Sequence, residues 1–262
     1  MIRRHLVLLV LVVLVVLQAR VSADFAILGT AQNYAVLGGS AVTNTGFSVL
    51  NGDLGVSPGS AISGFPPGIV NGTTHKTDAA AAQAQEDLTT AYNALWLMPV
   101  NTDLTGQDLG GLTLTPGVYN FDTSAQLTGT LILDAQNDPN ARFVFLIGST
   151  LTTASNSSVK VIRPPSATFC EKYFVVGSSA TLGAATNFEG SILALTSITL
   201  TTGASITRGR ALAQNGAVTL DDNTISTGPC DPLAPVPEPG TYLLLSSALP
   251  LLWAFKRKRL SA

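Results

Sequence analysis

The sequence contains few of the residues that usually carry enzyme chemistry. Its 262 residues include two cysteines and two histidines, and only 11% of the chain is charged. His75 is the one histidine beyond the N-terminal leader described below, so Ser-His-Asp and Cys-His catalysis both lack a credible set of residues. Cys170 and Cys230 do not form a CxxC pair, which disfavours a zinc site. We expect neither a metal nor a cofactor.

Positive charge is also scarce. Residues 24–235 contain seven Lys and Arg against 15 Asp and Glu, which gives a net charge near −8. Such a surface argues against nucleic acid or anionic lipid as a partner. Polysaccharide lyases and hydrolases need clustered carboxylates, whereas Asp221-Asp222 is the one adjacent acidic pair of the strand-rich part of the chain. We therefore predict that the protein is not an enzyme.

The first 23 residues have the pattern of a secretory signal peptide. Basic residues at the start precede the uninterrupted apolar run Leu6–Leu17. Val21-Ser22-Ala23 places small residues before an expected cleavage site after Ala23. A retained anchor is the alternative, but the run is shorter than the ~20 residues that span a bilayer. In an exported chain the two cysteines most simply form one disulfide, Cys170–Cys230.

The C-terminal residues 236–262 combine a short motif, an apolar segment and a basic tail. Pro237, Glu238 and Pro239 precede the mostly apolar residues 241–255, which four basic residues follow. This order resembles the PEP-CTERM sorting signal of Gram-negative bacteria that export exopolysaccharide. The resemblance implies processing by an exosortase, then release or attachment at the cell surface, with membrane contact through this segment alone before processing. A plain C-terminal anchor is the alternative. Residues 229–235 form a proline-rich linker.

A recurring dipeptide predicts the architecture of residues 24–228. Thr-Leu occurs six times, beginning at residues 113, 130, 150, 181, 199 and 219, at intervals of 17, 20, 31, 18 and 20 residues. Apart from the long interval, this is the period of a chain that winds once per coil around a solenoid. Stacked coils place equivalent residues about 4.7–4.9 Å apart, so the threonines would form a file along one face. Such a face suits a periodic ligand better than a compact molecule.

One segment, residues 77–98, is predicted to be a long helix. Thr77 or Asp78 can cap it, and Pro99 ends it. Apolar residues recur along one side of the segment at Ala84, Leu88, Ala91, Tyr92 and Leu95. This stripe must pack against another element, most simply a flank of the solenoid. Tyr92 and Trp96 are interpreted as packing residues.

Eight segments, taken in order, carry a family pattern across residues 25–227. They are Leu28–Ala31, Asn51–Gly59, Ala79–Tyr92, Leu112–Tyr119, Phe143–Ala154, Val176–Gly183, Gly190–Leu200 and Gly209–Ile225. Together they resemble the microbial ice-binding proteins of the β-solenoid family. The resemblance implies an all-β-dominated fold, a right-handed β-helix of roughly triangular section, with an N-terminal cap region and one long α-helix packed alongside.

The resemblance also implies a binding face. Members of that family bind ice through a flat solenoid face on which the motif Thr-Ala/Gly-x-Thr/Asn is common. Residues 153–156 match it fully, residues 202–205 match except for the final serine, and residues 184–187 lack the opening threonine. We therefore expect six residues on one exposed, flat side: Thr153, Asn156, Thr186, Asn187, Thr202 and Ser205. Their register is inferred from Thr153 and Thr202, which both stand two residues after the leucine of a Thr-Leu pair.

The functional hypothesis is ice binding that inhibits ice growth or recrystallisation outside the cell, secreted from or displayed on a Gram-negative bacterium. The alternative is an adhesion protein that uses the same scaffold to hold exopolysaccharide or a neighbouring cell. Carbohydrate sites usually offer exposed aromatic side chains, and the threonine files carry none. A third interpretation is purely structural, because threonine ladders support β-helices without any ligand.

Overall fold

The computed structural model describes residues 27–228. The predicted signal peptide, Cys230, the linker 229–235 and the sorting motif Pro237-Glu238-Pro239 lie outside these residues. The described chain forms a 3-10 helix at Gly29–Asn33, one α-helix, α1 (Ala79–Trp96), and 24 strands. The strands are β1 Tyr34–Gly38, β2 Ala41–Thr45, β3 Val49–Asn51, β4 Asp53–Val56, β5 Ala61–Ser63, β6 Ile69–Val70, β7 Thr74–Lys76, β8 Thr102–Asp103, β9 Thr113–Leu114, β10 Gly117–Phe121, β11 Ala125–Leu127, β12 Thr130–Asp134, β13 Phe143–Ile147, β14 Leu151–Thr153, β15 Ser158–Ile162, β16 Lys172–Val176, β17 Ala180–Leu182, β18 Asn187–Glu189, β19 Ser191–Ala194, β20 Ile198–Leu200, β21 Ser205–Thr207, β22 Ala211–Ala213, β23 Val218–Asp221 and β24 Thr224–Ser226.

The strands form three parallel sheets, which are the three sides of a solenoid. Sheet A has nine strands in the order β7-β4-β1-β22-β19-β16-β13-β10-β8. Sheet B has seven, β11-β14-β17-β20-β23-β2-β5, and sheet C has eight, β6-β3-β24-β21-β18-β15-β12-β9. Each full coil contributes one strand to A, then one to B, then one to C. The predicted solenoid with one helix is confirmed.

The coils are not stacked in the order of the chain. β1, β2 and β3 pair with β22, β23 and β24, so the first full coil lies beside the last one. β4–β7 continue the three sheets beyond it and form one end of the solenoid. The chain then passes through α1 and resumes at β8, the edge strand at the other end of sheet A. The N-terminal segment therefore extends the same sheets that the later coils build.

Helix α1 packs on the outer face of sheet A. Asp78 caps it, because its side chain accepts a hydrogen bond from the Ala81 backbone N–H at 2.8 Å. The buried side of the helix consists of Ala81, Ala84, Leu88, Ala91, Tyr92 and Leu95. These residues share a core cluster with sheet A residues that include Val144, Val175 and Leu193. The predicted stripe and its packing are confirmed. Among the described residues, no helix is both long and apolar enough to cross a membrane.

A second core fills the interior of the solenoid. Its largest side chains stack from coil to coil, with ring centroids 5.4 Å apart for Tyr119 and Phe145 and 4.4 Å apart for Phe145 and Phe174. Phe188 of sheet C meets Phe174 edge-on at 4.6 Å. Because equivalent positions of successive coils are neighbours, each ring buries its face on the next and the coils are held in register.

The long interval in the Thr-Leu repeat is an insertion between β15 and β16. It contains Cys170, which is 9% exposed. The first residue of β16, Lys172, is fully buried, and its Nζ donates to the Phe169 carbonyl at 2.7 Å and lies 3.2 Å from Glu189 Oε1. Burial lowers the pKa of Lys172 to about 8, although the Glu189 carboxylate opposes that shift. The hydrogen bond from Lys172 to Phe169 thus fastens the insertion to β16, and the ion pair with Glu189 joins β16 to β18.

Candidate functional site

The structure does not place the six predicted contact residues on one exposed side. Thr153 and Thr186 are 3% and 0% exposed, and their hydroxyls hydrogen-bond to each other at 2.8 Å. Asn156 is exposed in the turn from sheet B to sheet C, where its φ is 61°. Thr202 occupies the equivalent turn two coils later and donates to the Asp221 carboxylate. The expected exposure of Thr153 and Thr186 is therefore wrong.

The remaining two predicted residues belong to sheet C. Asn187 of β18 pairs with Ser205 of β21, and the Ser205 hydroxyl donates to Asn187 Oδ1 at 3.1 Å. Four of the six residues thus lie at the boundary between sheets B and C, Asn156 and Thr202 in its turns and Asn187 and Ser205 in strands of sheet C. The other two, Thr153 and Thr186, are buried. No ice-contact role of these residues is tested by the geometry alone.

The error in the prediction is one of register. Thr152, not Thr150, pairs with Thr181, and Thr181 pairs with Thr199. The Thr-Leu pair at residue 150 is therefore offset by two residues from the pairs in the following coils. Because side chains alternate between the two faces of a strand, Thr153 points inward next to the exposed Thr152.

The correct register produces a central file of polar side chains across the whole outer face of sheet B. Its members are paired residue by residue across consecutive strands, from β11 to β5. The file consists of Gln126, Thr152, Thr181, Thr199, Thr219, Thr43 and Ser63. Five consecutive threonines, spaced by about 4.7–4.9 Å per strand, therefore occupy its middle.

A second file of small side chains runs beside the first on the same face. It contains the residues that precede each member of the central file by two: Ser124, Thr150, Ser179, Ser197, Ala217, Ala41 and Ala61. Alanine, serine and threonine project by similar short distances from the sheet. The outer face of sheet B is therefore nearly level over its middle strands, and the one long side chain of the two files is Gln126, on the edge strand β11.

The hydroxyls of the central file are available to a ligand. Within residues 27–228, the side chains of Thr152, Thr181 and Thr199 make no hydrogen bond to the protein. Thr43 and Thr219 make one weak contact with each other, 3.4 Å between their hydroxyl oxygens. The middle of the file can therefore direct its donors and acceptors outward to water.

The other two sides of the solenoid do not offer such a surface. The helix covers part of the outer face of sheet A. On sheet C several hydroxyls are engaged within the protein, as for Thr130 and Ser158 at 2.9 Å and for Ser205 with Asn187 at 3.1 Å. Sheet C also exposes the long side chains of Lys160 and Ile69. Sheet B is thus the one flat, chemically uniform side of the described chain.

The face carries little chemistry beyond these hydroxyls. Its central file contains no ionisable side chain. Among the described residues, no group of three His, Cys, Asp or Glu is placed to hold a metal ion. Asp221, at the margin towards sheet C, is engaged by Thr202. The arrangement is suited to ordering water over an extended area.

Comparisons with known proteins agree on one family. A family model described as ice-binding-like matches residues 36–226. An ice-binding protein of Nostoc sp. (strain HG1) is 58% identical over 243 residues, covering 90% of this chain and 89% of that protein. The crystal structure of an ice-binding protein from an Antarctic biological consortium has a TM-score of 0.72 and 48% identity, covering 76% of this chain and 89% of that one. A crystal structure from Antarctomyces psychrotrophicus has a TM-score of 0.71 and 38% identity, covering 76% and 96%.

Proposed function

This chain belongs to the ice-binding-like protein family, and we propose that it binds ice crystals through the outer face of sheet B and thereby inhibits ice growth or recrystallisation outside the cell. The observation that carries the proposal is the central file of sheet B. It is flat, spans seven strands and keeps the hydroxyls at its middle free of protein partners.

Threonine suits the surface of an ice ligand for a physical reason. Its hydroxyl anchors a water molecule while its methyl group orders the neighbouring ones. Its branched Cβ restricts χ1, so little rotamer entropy is lost when the side chain meets a rigid lattice. Each contact is weak, and affinity requires many contacts in register. The parallel strands of sheet B supply that register because one backbone ladder fixes all of them.

The proposal is tested by tyrosine substitution on sheet B. We expect Thr181→Tyr and Thr199→Tyr to lose most of the thermal hysteresis and ice shaping of the purified exported chain, because a bulky ring lifts the lattice off the face. Both positions are on the surface, so the free energy of unfolding should change by no more than about 0.5 kcal/mol. Thr224→Tyr, on the exposed outer face of sheet C, is the matched control and should retain full activity.

Two results would contradict the proposal. An exported chain without any ice activity would refute the function itself. Full activity in both sheet B variants, with a loss in Thr224→Tyr, would assign ice to sheet C. In that case Asn187 and Ser205, which lie on sheet C, would return as candidate contacts. Asn156 and Thr202 lie in the turns between sheets B and C, at the margin of the site whichever sheet binds ice. Their substitution should therefore reduce thermal hysteresis less.

Export and processing complete the proposed function. The leader 1–23 directs secretion, and an exosortase cleaves near Pro237-Glu238-Pro239, which leaves the domain free or attached at the surface of a Gram-negative cell. Mass spectrometry of the exported protein tests this, since an intact residue 1 or 262 in that material excludes the respective cleavage. The relatives give no support to adhesion as a replacement for ice binding; exopolysaccharide is proposed as an additional partner.

The disulfide Cys170–Cys230 is also part of the proposal. An oxidising exterior and the presence of only two cysteines support it. It would fasten the insertion to the segment that follows β24 and stabilise the domain by about 2–4 kcal/mol. Thiol titration of the denatured, unreduced exported protein should find no free thiol. Two free thiols per chain would exclude the bridge.

A further inference from the structure

We propose that the edge between sheets C and A is a binding site for an anionic polysaccharide, separate from the ice-contact face. This edge, called the C–A corner, comprises the turns that lead from strands of sheet C to strands of sheet A between β12 and β22, together with the strand residues that adjoin these turns, as far as Lys160 in the middle of β15. It is the one edge of the three-sided solenoid that does not border sheet B.

The basic residues of the described chain are concentrated at this corner. Residues 27–228 contain seven Lys and Arg, and six of them lie there: Arg142, Lys160, Arg163, Lys172, Arg208 and Arg210. Four acidic residues share the corner: Asp134, Asp138, Glu171 and Glu189. The corner therefore has a net charge of +2, whereas the rest of the described chain, with nine acidic residues and Lys76, has −8.

The ion pairs at the corner leave the cations on the outside. The Arg163 side chain is 54% exposed over an Asp134 side chain that is 12% exposed. Arg208 is 43% exposed over Glu189 at 10%, and Arg142 is 33% exposed over Glu171 at 21%. The carboxylates hold the guanidinium groups in place from beneath, and the outer guanidinium edge faces solvent. Lys160, exposed on β15, adds a charge without an ion-pair partner among the described residues.

These four exposed cations are together called the cationic ridge: Arg142, Lys160, Arg163 and Arg208. Arg163 follows β15 and Arg208 follows β21, which is two strands away in sheet C, so they stand about 10 Å apart along the solenoid axis. A linear polymer with carboxylates on its sugars can extend over that distance. Guanidinium groups suit carboxylates because their fork geometry matches two oxygens.

The charge balance selects the class of polymer. A net charge of −6 over the described chain repels densely charged phosphate polymers. The local excess of two positive charges at the C–A corner is too small to offset that repulsion. A uronate polysaccharide, with no more than one carboxylate on a sugar, has a lower charge density and experiences less of that repulsion. Because the ridge and sheet B are on different sides, one molecule can hold such a polymer while its ice-contact face stays uncovered.

The test uses the exported chain and two immobilised polymers, alginate as the anionic polysaccharide and dextran as the neutral one. We expect binding to alginate and not to dextran at about 0.05 M salt, and its loss at about 0.5 M salt, where charges are strongly screened. Lys160→Gln should weaken binding about fivefold, a reasonable size for one cation near an anionic surface. Lys76→Gln is the matched control, an exposed lysine on β7 outside the ridge, and should bind like the parent.

Several outcomes overturn the proposal. Equal losses in Lys160→Gln and Lys76→Gln would show a non-specific charge effect. Equal binding to dextran would remove charge as the cause. Tighter binding to DNA or to phosphatidylglycerol vesicles than to alginate would assign the ridge to a different class of partner. Thermal hysteresis measured on the alginate-bound protein separates this site from the ice face, because we expect it to remain.

Discussion

At the scale of single residues, a threonine hydroxyl of this molecule has one of two environments. Thr152 is exposed on sheet B, whereas the neighbouring Thr153 is buried and bonded to Thr186. The first can exchange hydrogen bonds with water at no cost to folding. The second joins two coils in the interior, where a polar group without a partner is costly. Of these adjacent threonines, Thr152 therefore belongs to the proposed ice face, and Thr153 contributes to stability.

The buried pair gives a stability prediction. Thr153→Val should lower the free energy of unfolding by about 1–3 kcal/mol, because the Thr186 hydroxyl loses one of its two partners and the Gly183 backbone N–H loses its acceptor in a buried site. The double variant Thr153→Val, Thr186→Val should lose less than the two single variants together, since both single changes break the same bond. Chemical denaturation of the two single variants, the double variant and the parent measures this. A double variant less stable than the sum of the single changes would contradict it.

The buried lysine gives a prediction on pH. The pKa of Lys172 is lowered to about 8 in the folded protein from 10.5. Between these values the unfolded chain binds more protons, so this group makes the folded state more stable as pH rises from about 8 towards 10.5. From about pH 7.5 to 9.5 the free energy of unfolding of the parent should gain about 1–2 kcal/mol relative to Lys172→Met. Parallel slopes in the two proteins would refute the assignment.

At the scale of elements, helix α1 is a support that lies away from the proposed ice face. Its buried stripe packs on sheet A, and sheet B is on another side of the solenoid. Damage to this packing should therefore reduce the amount of folded protein without altering the contact surface. Stability and ice activity can be separated by experiments on the helix.

Leu88 is fully buried on the side of α1 that packs on sheet A, and its substitution tests this role of the helix. Leu88→Ala should lower the free energy of unfolding by about 2–4 kcal/mol through the cavity it creates. The exposed Asn93→Ala on the same helix should change it by less than about 0.5 kcal/mol. Thermal hysteresis per folded molecule, measured well below the melting temperature, should equal that of the parent in both. A selective loss of ice activity in Leu88→Ala would show that α1 shapes the site.

The helix and the solenoid could be predicted from the sequence because both have local periods. The stripe from Ala84 to Leu95 has helical spacing, and the Thr-Leu repeat has the length of one coil. The position of the site could not be predicted from the repeat alone, because the coils differ in length at their turns. A count from one Thr-Leu pair to the next was two residues out at Thr150. Strand alternation around Leu151 contained the missing signal, since an inward leucine requires an outward Thr152.

The order of the coils had no signal at all in the repeat. β1 pairs with β22 across a distance in sequence that no local pattern records. That pairing depends on contacts between distant parts of the chain, which are a property of the assembled solenoid.

At the scale of the whole molecule, the ion pairs of the C–A corner and the proposed ice face on sheet B lie on different sides of the solenoid. The proposed ice face has no ionisable group in its central file, while the ion pairs and buried cations are at the C–A corner. Changes in protonation should therefore alter stability and polysaccharide binding but not the contact with ice.

Thermal hysteresis at constant concentration of folded protein should be the same at about pH 5 and about pH 9, because Thr, Ser and Gln do not titrate in that range. Circular dichroism at each pH is the control for folding. A change in hysteresis without a change in folded fraction would mean that a titrating group contributes to the face.

The neighbouring position of the first and last coils determines when the domain can form. Thr43 and Thr219 touch although they are 176 residues apart. An ordinary repeat protein can add one coil at a time as the chain emerges. Here the first coil waits for strands that arrive last, and closing so long a loop is slow. The proposed ice face should therefore form only after the last coil has been synthesised, in one late step.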